Sequence, residues 1–130
     1  MKPLHALTFL AVAASFTFTG CEKQMRDSLN DTKKSAAEIY VNKLNGSLMF
    51  YELMNAAPPS TAQGLRALVE MPTGEPRPRG WTQQEEKIEL DPWGMEYRYE
   101  FPGKHNKGGF DVYSSGPDGK PGTADDIGSW

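Results

Sequence analysis

Apolar and polar positions divide the chain into distinct stretches. Behind Met1-Lys2, a short apolar block holds Leu4, Leu7, Phe9, Leu10, Ala11, Val12, Ala13 and Ala14. From Glu22 to Lys34 only Met25 and Leu29 interrupt a polar run, which reads as a solvated tether or as the frayed start of a helix. From Ser35 the apolar residues recur at helical spacing. Ala36, Tyr40, Leu44, Leu48 and Tyr51 form the stripe, and Ile39, Val41, Phe50 and Met54 widen it. Asp31 or Thr32 can cap its start and Pro58-Pro59 forces its end. The pattern predicts one amphipathic helix from Asp31 to Asn55 whose aromatic face packs on a sheet.

Beyond the helix the punctuation becomes dense. Ser60-Thr61-Ala62-Gln63 has the form of a capping box, with Leu65, Leu68 and Val69 as the apolar side of a short second helix that Pro72 closes. Residues 72–80 carry three Pro and two Gly and read as a surface loop. Ile88-Glu89-Leu90 runs into Asp91-Pro92-Trp93-Gly94, a turn with proline preset at its second position. Tyr97 to Phe101 and Phe110 to Tyr113 alternate with period two and read as strands. Residues 114–130 show no periodicity. A helix, a short helix and then strands make an α+β domain with a small antiparallel sheet.

Composition narrows the function. At 130 residues there is room for one domain. Fourteen Lys and Arg against 17 Asp and Glu give a net charge of −3, which argues against a phosphate-backbone binder. One cysteine, Cys21, allows neither an internal disulfide nor a zinc cluster. No nucleophile–base pair, phosphate loop or paired catalytic carboxylates can be picked out. His105 is the only histidine after Cys21 and reads as a loop residue. Trp93 and Trp130 read as pins holding the Asp91-Pro92 turn and the chain end to the sheet.

The N-terminus has the layout of a secretory signal, too short in its apolar part to span a bilayer. Phe18-Thr19-Gly20-Cys21 resembles a bacterial lipobox, with Phe18 where an aliphatic residue is usual. That resemblance implies cleavage before Cys21, a lipid on its sulfur, and, with Glu22 following, retention at the outer membrane. The alternative is an ordinary cleaved signal with an incidental free cysteine. The domain reading is therefore a signal peptide over 1–20, a polar tether over 21–34 and a globular domain over 35–130.

The remaining candidate chemistry lies in the tail. Asp118, Asp125 and Asp126 fall within nine residues of a glycine-rich loop, and they repel one another unless a cation lies between them. Hard oxygens in a flexible loop suit calcium better than magnesium, although the spacing is not that of an EF-hand. On spacing alone, such loops are as a rule solvated turns.

A family resemblance bears on that choice. Pro59 to Val69 (PSTAQGLRALV), Leu90-Asp91-Pro92-Trp93-Gly94 with Tyr97 and Tyr99, Pro102-Gly103-Lys104-His105, Asp111-Val112-Tyr113-Ser114, and Gly116-Pro117-Asp118-Gly119 through Asp125-Asp126-Ile127-Gly128-Ser129-Trp130 occur in order. Together they resemble the C-terminal domain of the type II secretion major-pseudopilin family, protein G. The resemblance implies a non-enzymatic component of protein secretion with a structural calcium in the tail loop. Asp118, Asp125 and Asp126 would give side-chain oxygens, and Ser115, Thr123 and Lys120 carbonyl oxygens. It implies protein partners in an envelope assembly, and neither nucleic acid nor a small-molecule substrate. The departure is at the start: the family's prepilin leader and its Phe-Thr-Leu-x-Glu motif are missing, and the apolar stretch precedes Gly20-Cys21. The expectation is a pseudopilin-like domain facing the periplasm on a lipid anchor, either as a secretion component or as a stand-alone binding module outside any pseudopilus. A calcium-dependent hydrolase would have His105 as its one imidazole.

Overall fold

The computed structural model describes residues 17–130. Its elements are α1 (Thr17–Asn55), a 3-10 helix (Leu65–Leu68), and strands β1 (Arg98–Glu100), β2 (Asp111–Ser114) and β3 (Ile127–Gly128). The chain divides into two compact units between Asp31 and Thr32. Within the first unit, residues 17–31 are helical, and Met25 and Leu29 are exposed. The signal-peptide reading of 1–20 lies, for residues 1–16, outside the described residues. The segment read as a tether, 21–34, is helical throughout. Glu22 to Lys34 contains neither Gly nor Pro, so its polarity governs exposure and leaves the backbone free to be helical. Among the described residues no helix is long and apolar enough to cross a membrane.

In the second unit α1 buries a narrower seam than the sequence stripe. Ala37, Val41, Leu44, Leu48, Tyr51 and Asn55 are buried, whereas Ala36, Ile39, Phe50 and Met54 are exposed. A helix turns once per 3.6 residues, so repeated steps of four drift by about 40° each. Steps of four and three in alternation hold one face, and that face starts at Ala37 rather than Ala36. The seam joins Leu65, Ala67, Leu68, Tyr97, Phe110 and Val112 in one apolar cluster, with Tyr40, Trp81, Ile88, Tyr99 and Phe101 packed against it. Tyr40 tilts against Tyr97 with ring centres 4.9 Å apart, and its hydroxyl accepts the Glu89 N–H at 2.9 Å.

The capping box forms as the residues imply. Ser60 N–H donates to Gln63 Oε1 at 2.9 Å, and Gln63 N–H donates to Ser60 Oγ at 3.2 Å. The helix after it is a single 3-10 turn, because Gly64 at φ 60° occupies the left-handed region and breaks any continuous right-handed helix from Ser60. The irregular segment behind it is tied down by side chains. Trp81 Nε1 donates to the Ala67 carbonyl at 2.8 Å and Gly80 N–H to Asn55 Oδ1 at 2.9 Å. Glu85, buried, takes Lys43 Nζ at 2.5 Å and Ser47 Oγ at 2.8 Å from α1.

The sheet is antiparallel in the order β1-β2-β3. Tyr99 pairs with Val112, and Tyr113 with Gly128. β3 comes from the tail, where the residue pattern indicated no strand: two residues are too few for alternation to register. With β2 central, its Val112 is fully buried and Asp111 is nearly so.

Leu48→Ala should lower unfolding free energy by about 2–5 kcal/mol, as expected for truncation in a closed core. Leu53→Ala, on the exposed side of the same helix, should stay within about 0.5 kcal/mol. Urea denaturation of the two variants checks the contrast.

Candidate functional site

The tail loop leaves β2 at Ser114 and returns into β3 at Ile127. Its entry is fixed from below by Asp91, buried in the turn after Leu90. Ser114 Oγ donates to Asp91 Oδ2 at 2.6 Å and accepts the Gly116 N–H at 3.1 Å. The other Asp91 oxygen takes the N–H groups of Trp93 at 3.0 Å and Met95 at 2.8 Å. The residue pattern marks Asp91 only as a turn former. Its second role needs Ser114, 23 positions away, and only the fold brings the two together.

Backbone geometry then permits the tight path. Gly116 sits at φ 65°, and a Cβ there would lie 2.2 Å from the Asp125 carbonyl oxygen, so no larger residue fits between the two limbs of the loop. Asp118 N–H donates across the loop to Asp125 Oδ2 at 3.1 Å, and Lys120 N–H to Asp118 Oδ1 at 2.8 Å. Gly122 N–H donates to Asp126 Oδ2 at 2.7 Å. The Thr123 hydroxyl lies 2.6 Å from Asp125 Oδ1 and 3.0 Å from the Lys120 carbonyl, and its single proton serves one of them at a time. The Thr123 hydroxyl, followed by the Asp118 N–H, holds the Asp125 carboxyl below the usual carboxylate range.

The structure thus brings Asp118 and Asp125 together, and Lys120, Thr123 and Asp126 with them, through the loop's own hydrogen bonds. Ser115 is buried at the loop's entry, where its hydroxyl accepts Arg98 Nε at 3.3 Å. Among the described residues no three Asp, Glu, His or Cys side chains gather into a set that could hold a metal by themselves. What the loop offers instead is mixed oxygen: carboxylates, a hydroxyl and main-chain carbonyls. One of these, Asp126 Oδ1, is buried without a hydrogen-bond partner. A buried carboxylate oxygen left unpaired is costly, and a hard cation is the kind of group that would satisfy it. The donor set fits calcium in chemistry. Cys21, at the other end of the chain, is exposed and unpaired on α1.

A second carboxylate organises the neighbouring loop. Asp111, 1% exposed, accepts the N–H groups of Lys104 at 2.7 Å, His105 at 2.8 Å and Asn106 at 2.9 Å. Burial by itself would push its carboxyl up, but these donors outweigh that and hold it below the usual carboxylate range. His105 Nδ1 is 3.4 Å from the same carboxylate, and its ring stacks on Trp130. Burial also raises the Tyr97 hydroxyl to about 12 and pushes Tyr99 up further, so both stay neutral in the core.

A long helix laid on a small antiparallel sheet, with a Gly- and Asp-rich loop closing the third strand, defines a pseudopilin-type globular domain. The crystal structure of the major pseudopilin from the type 2 secretion system of enterohaemorrhagic Escherichia coli superposes with a TM-score of 0.71 and 33% identity, covering 93% of this chain and 94% of that one. Residues 24–130 match the family model for type II secretion system protein G. Core protein G of Pseudomonas aeruginosa is 43% identical over 112 residues, 82% of this chain and 78% of that protein. The Dickeya chrysanthemi protein is 45% identical over 102 residues, 77% and 64% of the two chains. The protein of Vibrio cholerae serotype O1 is 40% identical over 135 residues, taking in 100% of this chain and 88% of its own. The chain belongs to the type II secretion system protein G family.

Asp111 gives this region a definite acid response. Its native carboxyl loses its proton more readily than in the unfolded chain, so the stabilisation is complete above the unfolded value, about pH 4, and is lost as pH falls through the native one. Asp111→Asn should therefore cost about 1–3 kcal/mol at pH 7, with the deficit shrinking as the wild type is acidified below pH 4. Thermal melts of both proteins across that range check the sign.

Proposed function

We propose that this chain acts as a non-enzymatic, pseudopilin-like component of a type II secretion system in the bacterial envelope, working through protein partners, with its tail loop stabilised by calcium. The observation carrying the secretion role is the family match across 24–130 together with the shared fold. In the calcium reading Asp118, Asp125 and Asp126 would supply carboxylate oxygens, and Ser115, Thr123 and Lys120 carbonyl oxygens. Bound there, calcium would supply charge compensation for the three carboxylates and would cross-link the two limbs of the loop. The unpartnered Asp126 Oδ1 supports this reading. The chain's own part is to hold the loop's entry, through Asp91 and Ser114, and its close approach at Gly116.

Anchorage distinguishes a stand-alone role from incorporation into a filament. In the first, Cys21 carries a lipid that holds a periplasm-facing domain at the outer membrane, and the chain serves as a tethered binding module outside a pseudopilus. The exposed, unpaired Cys21 favours it. In the second, residues before Cys21 stay on the chain as the leading part of a filament subunit. An α1 that is already helical at Thr17, and a relative that aligns along the whole chain, favour that one.

Intact mass of the protein extracted from membranes separates the two. A chain starting at Cys21 with a diacylglycerol and an acyl group supports the lipid anchor, and a mass retaining the first twenty residues excludes it. The calcium reading has its own measurement. A ligand bound only by the folded state, at a hundredfold excess over its Kd, adds about 2.7 kcal/mol. Chelation should therefore lower Tm by several degrees, and Asp125→Ala should melt at the chelated value with or without calcium. A wild-type melt indifferent to chelator overturns that reading.

A further inference from the structure

We infer that His105 and Trp130 form a clasp that positions the aspartate loop, so that residues supplying no ligand control its affinity for a cation; this rests on the calcium reading above. Two residues paired with Tyr113 and Ser114, plus one bond from Ser129 N–H to the Val112 carbonyl at 3.2 Å, are a meagre hold for a strand. Yet β3 follows directly on Asp125 and Asp126, and any fraying of it loosens the bonds that Asp125 receives from Asp118 N–H and Asp126 from Gly122 N–H.

Trp130 supplies the missing hold. Three atoms of its six-membered ring crowd Gly128, where a Cβ would come within 2.2 Å of the nearest, so the glycine is what admits the indole beside the strand. On its other contacts the ring stacks on His105, with centres 3.7 Å apart and planes 11° apart, and meets Tyr113 edge-on at 5.5 Å. His105 is itself fixed. Its N–H donates to Asp111 Oδ2 at 2.8 Å, its Nδ1 stands 3.4 Å from the same oxygen, and Asp111 is locked in the sheet centre by its other two N–H donors. The order of support therefore runs from buried Asp111 through the His105 ring to Trp130, then to Gly128 and the carboxylates that precede it. Half of the His105 side chain and a comparable share of Trp130 remain exposed, so what the pair contributes is placement of the strand rather than core volume.

The test uses the full chain in detergent, with calcium chloride as the probe. Trp130→Ala and His105→Ala should each weaken calcium binding, read by calorimetric titration, by about tenfold, while His105→Phe, which keeps a stacking ring, should stay near the wild type. In calcium-free protein, amide exchange at Asp126, Ile127 and Ser129 should speed up in Trp130→Ala and not in His105→Phe, while amides of α1 in Val41 to Leu48 keep their protection. Wild-type affinity in Trp130→Ala overturns the clasp. Loss in His105→Phe equal to that in His105→Ala overturns the stacking role. If the wild type binds no calcium, the calcium reading fails instead, and the exchange data decide the clasp alone: unchanged exchange at Ile127 and Ser129 in Trp130→Ala refutes it.

Discussion

The sheet of this protein has strands of three, four and two residues, and no such sheet holds its shape in water without an apolar partner. That partner is the face of α1 carrying Val41, Leu44, Leu48 and Tyr51. The residues beyond the helix that join the apolar cluster are placed by contact with this face. Phe110 and Val112 place the central strand, Tyr97 places the edge strand, and Leu65 and Leu68 place the 3-10 turn. That face is thus the common support for the short strands and the 3-10 turn.

Loops make up most of the chain beyond Asn55, and apolar burial alone does not shape loops. Three buried carboxylates do that work here. Glu85 binds the segment after Trp81 to Lys43 and Ser47 of α1. Asp91 closes its own turn and receives Ser114 at the entry to the tail loop. Asp111 gathers three successive N–H groups of the loop joining β1 to β2. Each satisfies several donors at once, which is how a charged group can be buried without being a liability. Two of the three sit beside the tail, one at its entry and one behind the His105–Trp130 stack. The candidate cation loop is therefore supported from both ends by groups that are not themselves among its donors.

Much of this was visible in the residues. The capping box at Ser60 and Gln63, the Asp91-Pro92 turn and the two alternating strands need only local rules, and each forms. The helix was visible as well, but its seam was displaced by one residue at Ala36, since a stripe of larger apolar residues masks the small Ala37. Ile39 and Phe50 lie outside the core because the sheet is too narrow to cover a wide face. β3 was not legible at all, and neither was the pairing of Asp91 with Ser114 or of His105 with Trp130. Those contacts join positions 23 and 25 residues apart, and no local pattern encodes them.

Side-chain periodicity, turn chemistry and motif order already carried the helix and the first two strands in their order, the family, and the concentration of carboxylates in a glycine-rich tail. Tertiary structure decided which of those carboxylates meet, and what holds them. Asp125 lies against the Gly116 limb, and Asp126, with one oxygen buried and unpaired, leads directly into β3 at the edge of the sheet. That strand is too short to be stable through its own residues, and depends on a sheet and an aromatic stack assembled from distant parts of the chain.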